Sequence, residues 1–80
     1  MKRVAVLGAG SAADAGLDGT EEVVVLDDSP AALLELRERV REPGWSFQLG
    51  ALPVLPLPDA WVDAVVGAAA DDPEVVRIRR

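Results

Sequence analysis

Eighty residues, half of them apolar and with a formal charge of −6, describe one small globular domain over 1–80, or part of a larger one, and a chain this short buries only about 60% of its unfolded surface. The excess of acid argues against nucleic acid as a partner. The lack of cysteine and histidine excludes disulfides, thiolate or imidazole metal sites and the commonest catalytic base.

The chain starts MKRVAVLGAGSAADA, a basic start followed by small residues. Gly8, Gly10 and Asp14 interrupt the apolar run too early for a signal peptide. The expectation is therefore a first strand, no targeting or membrane segment, and a cytoplasmic protein. VAVL (4–7) runs straight into glycines, as a strand buried on both faces does. Ser11 to Ala15 suits a short helix, closed by Gly16 or Gly19. Val23–Leu26 forms a second buried strand ending on Asp27 and Asp28. Ser29 is a good N-cap and Pro30 a good first helical residue. Leu33, Leu36 and Val40 then mark one helix face, and Pro43-Gly44 stops the helix.

WSFQL (45–49) alternates, which predicts a third strand with one wetter face at a sheet edge. LPVLPLPDA (52–60) holds three prolines, each without an N–H, and reads as a loop. A fourth strand is expected near Val62–Val66. Asp72-Pro73-Glu74 opens a helix, yet VVRIR alternates like a strand, so residues 73–80 stay open between the two, with helix favoured. The order β-α-β-α-β-loop-β makes a parallel α/β sheet with helices on its faces.

Gly8-Ala9-Gly10-Ser11-Ala12-Ala13 satisfies G-x-G-x-x-(G/A), and Asp27 follows 19 positions after Gly8. Such a loop is either a tight turn between packed elements or a close approach to a nucleotide, with the acid on ribose hydroxyls. The acid at this spacing favours a nucleoside site. Pyrophosphate prefers surroundings free of negative charge, whereas Asp14, Asp27 and Asp28 cluster here and no basic residue lies between Val4 and Leu36. NADP is poorly served. A ligand with ribose hydroxyls, no phosphate and cationic groups, such as S-adenosylmethionine, suits the acids better.

VAVLGAGSA, VVVLDDSPAALLELRERV and above all LPLPDAWVDAVV resemble, in order and spacing, three sequence blocks of the class I S-adenosylmethionine-dependent methyltransferases. The resemblance implies a small Rossmann-like three-layer α/β fold with strand order 3-2-1-4, truncated after strand four. It implies that Gly8 and Gly10 line the methionine part of the cofactor, that Asp27 holds the ribose hydroxyls, and that Asp28 and Ser29 lie beside the adenine. Gly50 and Ala51 stand at the glycine-acid pair that closes strand three. The chain departs from the pattern at Val6 and Ala51, where acids are common, and at Ala12, where the third loop glycine is expected. No acceptor motif follows strand four, and only carboxylates remain as bases; no catalytic residue is assigned and stand-alone catalysis is not expected.

Three readings follow: a methyltransferase-like domain binding S-adenosylmethionine or S-adenosylhomocysteine, an empty scaffold or dimerisation module of the same fold, and an NAD-binding regulatory domain. A sheet ending at strand four leaves an apolar edge, so a homodimer through strand four or the C-terminal segment is expected. Trp45 and Trp61 read as core or interface anchors, and the RIRR tail as a solvated terminus or a partner for surface acids.

Overall fold

A computed structural model of the chain describes residues 2–14, 21–40 and 43–80, the side chains of Ala13 and Asp14 excepted. Strands β1 (Arg3–Leu7) and β2 (Glu22–Asp27) form the centre of the sheet. β3 (Trp45–Leu49) lies outside β2 and β4 (Ala64–Val66) outside β1, every pair parallel, giving the order β3-β2-β1-β4. This is the expected 3-2-1-4 arrangement. Side chains alternate between two cores: Val4, Val6, Val23 and Val25 face the first helix, while Ala5, Val24 and Leu26 face the opposite layer. Burial on both faces is why these strands read as unbroken apolar runs.

Helix α1 (Pro30–Arg39) begins as expected, with the Ser29 side chain accepting from the Ala32 N–H at 3.2 Å and Pro30 in the first turn. Leu33 and Leu36 are buried on the sheet. The helix ends at Arg39, before Pro43-Gly44, with Val40 already extended. The short helix expected over Ser11–Ala15 is present as a 3-10 helix that starts earlier, over Ala9–Asp14; Ala15, Gly16 and Gly19 lie outside the described residues. At the sheet end, Ser46 and Gln48 of β3 are exposed while Trp45 and Phe47 pack towards α1, so the wetter face is where alternation placed it.

The C-terminal segment is both of the things its sequence suggested. Asp72 caps helix α2 (Pro73–Ile78), accepting from the Glu74 N–H at 3.0 Å. Arg79 then pairs in parallel with Val62, the Arg80 N–H reaching the Val62 carbonyl at 2.9 Å and the Val62 N–H reaching Ile78 at 2.9 Å. β4 proper is thus shorter than expected, and Val62, ahead of it, is fully buried by the chain's own tail. The apolar edge that a second copy was expected to cover is, at Val62, already paired within the chain.

The proline-rich 52–60 segment is a loop, with Leu55 and Leu57 buried against the α2 layer. Its backbone groups pair largely with α2: Glu74 accepts from the Leu55 N–H at 2.9 Å, and Arg77 donates to the Leu55 and Leu57 carbonyls, each at 2.8 Å. No described helix is long and apolar enough to cross a membrane.

A candidate cofactor pocket at the strand C-termini

In parallel α/β sheets, ligands gather outside the carboxyl ends of the strands. Here Leu7, Gly8, Leu26, Asp27, Asp28, Gly50, Ala51 and Leu52 line one cavity of about 270 Å³ at that end. Five of the seven residues singled out from sequence therefore meet: Gly8, Asp27, Asp28, Gly50 and Ala51. Ser29 is committed to capping α1. Gly10 is exposed on the 3-10 helix and borders a different groove, with Ala12 and Trp45.

Asp27 organises the pocket. One carboxylate oxygen accepts from the Ala9 N–H at 2.8 Å and the other from the Ser29 N–H at 2.9 Å. The first bond ties the glycine loop to β2 and the second ties β2 to the α1 cap. These N–H groups, that of Ala9 foremost, hold the carboxyl below the usual carboxylate range, so it is ionised at neutral pH. The Asp28 N–H and side chain add to the same effect. Among the described residues, no arginine or lysine side chain lines the cavity.

The glycines act differently from one another. Gly8 adopts a φ of +93°, which lets the chain turn out of β1 while its N–H reaches the Leu26 carbonyl at 2.7 Å. Gly50 is a packing glycine: a Cβ there would sit 2.7 Å from Cδ of Pro56. Sequence reasoning missed Gly67, which ends β4 at a φ of +92°; a Cβ there would collide with the Leu7 carbonyl oxygen and approach Ser11 Oγ to 2.8 Å. Its signal was visible, since AVVG repeats the strand-then-glycine pattern of VAVLG.

The departures from the family pattern are placed as well. Val6 and Ala12 belong to the α1-side core, and Ala51 stands exposed at the pocket rim, bridged to Val54. The side chain of Asp14, counted among the local acids, lies outside the described residues.

The two acids of LPLPDAWVD work away from the pocket. Asp63 accepts from the Arg3 N–H at 2.8 Å and pairs with Arg80 at 2.9 Å, tying the approach to β4 to the start of β1. Its carboxyl is held low chiefly by the Arg3 N–H. Asp59 pairs with Arg77, which also binds Glu74. The tail arginines Arg77 and Arg80 do pair with surface acids. Trp61 stacks under the Arg3 guanidinium, 4.2 Å from its ring centre, and packs on the core as an anchor.

No protein-family model and no curated protein matches the chain. Among solved structures it is similar to a chain in the complex between the Haloferax volcanii Trm112 methyltransferase activator and a candidate methyltransferase, with 32% identity and a TM-score of 0.70. The likeness covers 80% of this chain and 30% of the other, so the chain spans under a third of that protein. This supports a methyltransferase-like, Rossmann-like fold. It also overturns the expected homodimer: the similar structure is an assembly of two different polypeptides, and here the tail already pairs with Val62 ahead of β4.

Proposed function

We propose that this chain is the cofactor-holding part of an S-adenosylmethionine-dependent methyltransferase-like protein, and that it works in assembly with a different polypeptide. The observation that carries the first half is the Asp27 carboxylate, fixed at both oxygens by backbone N–H groups at 2.8 and 2.9 Å and lining a cavity without a basic side chain among the described residues. A carboxylate held in a fixed orientation at a strand end suits a ribose diol. Asp28 adds a second negative charge, which favours sulfonium and ammonium groups and disfavours a pyrophosphate. Leu7, Leu26 and Leu52 supply apolar walls for a base. When bound, S-adenosylmethionine supplies an activated methyl group; the residues here bind and orient, and none is assigned to proton transfer.

The second half rests on the opposite sheet edge. β3 ends the sheet, and beside it Leu34 and Leu49 are 57% and 56% exposed around a groove of about 260 Å³ shared with Pro30, Leu33, Arg37 and Phe47. An open strand edge next to apolar side chains is a surface for strand addition by another protein. The activator in the similar complex supports a partner of that general kind.

Titration calorimetry with S-adenosylmethionine, S-adenosylhomocysteine and NAD tests the ligand. Heat with the first two, lost in Asp27→Ala, is the expected result. Silence with all three makes the chain an empty scaffold. Binding of NAD alone makes it a dinucleotide regulatory domain.

A further inference from the structure

Arg77 is the most heavily bonded side chain among the described residues, and none of its partners lies in the pocket. A guanidinium has five N–H donors, and Arg77 makes five hydrogen bonds. Nε and Nη2 reach the Glu74 carboxylate at 2.6 and 3.2 Å, Nη1 reaches the Leu57 carbonyl at 2.8 Å and Asp59 at 2.6 Å, and Nη2 reaches the Leu55 carbonyl at 2.8 Å. Glu74 in turn accepts from the Leu55 N–H at 2.9 Å. The pair grips residues 55–59 through both backbone and side chain. Prolines at 53, 56 and 58 deprive this loop of N–H groups, so it cannot hold itself by a strand ladder and depends on donors from elsewhere.

The gripped loop leads back to the cavity. Pro56, between the buried Leu55 and Leu57, packs so closely on Gly50 that no Cβ fits there. Its carbonyl accepts from the Gln48 side chain at 3.3 Å. Gly50 N–H donates to the Asp27 carbonyl at 3.1 Å, and the Ala51 carbonyl accepts from the Val54 N–H at 3.2 Å. Gly50, Ala51 and Leu52 are the β3-side wall of the cavity. A continuous set of contacts thus runs from α2 through Pro56 to the residue hydrogen-bonded to Asp27.

We propose that the Glu74–Arg77 pair is a latch that positions the Gly50–Leu52 wall of the pocket, so that α2, remote from the ligand, sets its affinity. Arg77 is a positioning residue, and the inference rests on the ligand reading above. A wall released from its support loses the fixed spacing to Asp27 that preorganised binding requires.

The test compares wild type with Arg77→Met, which keeps the apolar stem, and with Glu74→Gln, which keeps an oxygen for the Leu55 N–H. Calorimetry with S-adenosylhomocysteine is run well below each melting temperature, alongside amide exchange by mass spectrometry over residues 48–57. Loss of roughly tenfold in affinity for Arg77→Met, a smaller loss for Glu74→Gln, and faster exchange at Gly50, Val54 and Leu55 with β1 and β2 still protected is the expected result. Unchanged affinity in a folded variant whose Leu55 amide exchanges faster overturns the latch. If wild type binds no S-adenosylhomocysteine, the ligand reading fails while exchange still judges the latch: faster exchange at Gly50 and Val54 upholds it, and protection as in wild type overturns it. Should Arg77→Met not fold, Glu74→Gln carries the same comparison.

Discussion

The acids at the two ends of this molecule have different company. Asp59, Asp63 and Glu74, at the β4 approach and α2, each face an arginine. Asp27 and Asp28, at the C-terminal ends of the strands, have no arginine or lysine partner among the described residues, and Asp27 is held by backbone N–H groups instead. Charge that is neutralised by a side chain is committed to structure. Charge fixed without a cationic side chain keeps its field outward. In a chain with 14 acids and 8 bases, the placement of the arginines therefore separates acids committed to ion pairs from the two carboxylates of the proposed pocket.

The comparison is most severely strained by emptying the core where the tail closes the scaffold. Ile78 is fully buried in the α2-side cluster, so Ile78→Ala should cost about 2–5 kcal/mol, measured by denaturant unfolding. In a domain of this size that approaches the whole stability. Next comes Asp27→Ala, which should weaken S-adenosylhomocysteine by roughly ten- to a hundredfold, the worth of hydrogen bonds to a charged group. Asp63→Asn should do the reverse, lowering the melting temperature and leaving that affinity within about twofold of wild type. If both substitutions act alike, the two ends do not differ in the way the pairing indicates.

Acid should release the ends together. Asp27, Asp63 and Glu74 all have carboxyls held below their ordinary values in the folded chain, so the unfolded chain binds their protons more readily. Their contribution to stability is complete above about pH 5 and is lost as pH falls through the lowered folded values. Urea midpoints should be flat near neutrality and fall below about pH 4. In Asp63→Asn that fall should be shallower.

The smallest effect on the isolated chain is expected at the open edge. Leu34→Glu, on a side chain 57% exposed, should shift stability by no more than about 0.5 kcal/mol. It should nevertheless abolish co-purification with a partner protein if the β3 groove is the docking surface. Co-purification that persists at wild-type yield excludes that groove.

Local patterns decided much of this protein. Unbroken Val and Leu runs announced strands buried on both faces, Ser29-Pro30 announced the start of α1, the parallel sheet followed from handed crossovers, and its strand order from the family resemblance. Gly8 and Asp27 were legible from their spacing, and Asp28, Gly50 and Ala51 from the family resemblance; they meet because each follows or ends a strand, and strand ends of a parallel sheet converge. Tertiary structure alone decided the rest. Ser29 is committed to a cap and Gly10 lies on another groove, since a 3-10 turn, not an α-helix, follows Gly8. Gly50 serves Pro56 as well as the cavity it lines, and Gly67 is needed because β4 abuts the Leu7 carbonyl. The motif acids Asp59 and Asp63 found arginines far along the chain, and Arg79 left its helix to pair beside Val62. Strand ends and caps are set by neighbours in sequence. Pairing of charges and closure of an edge depend on which distant segments the packed sheet brings within hydrogen-bond reach.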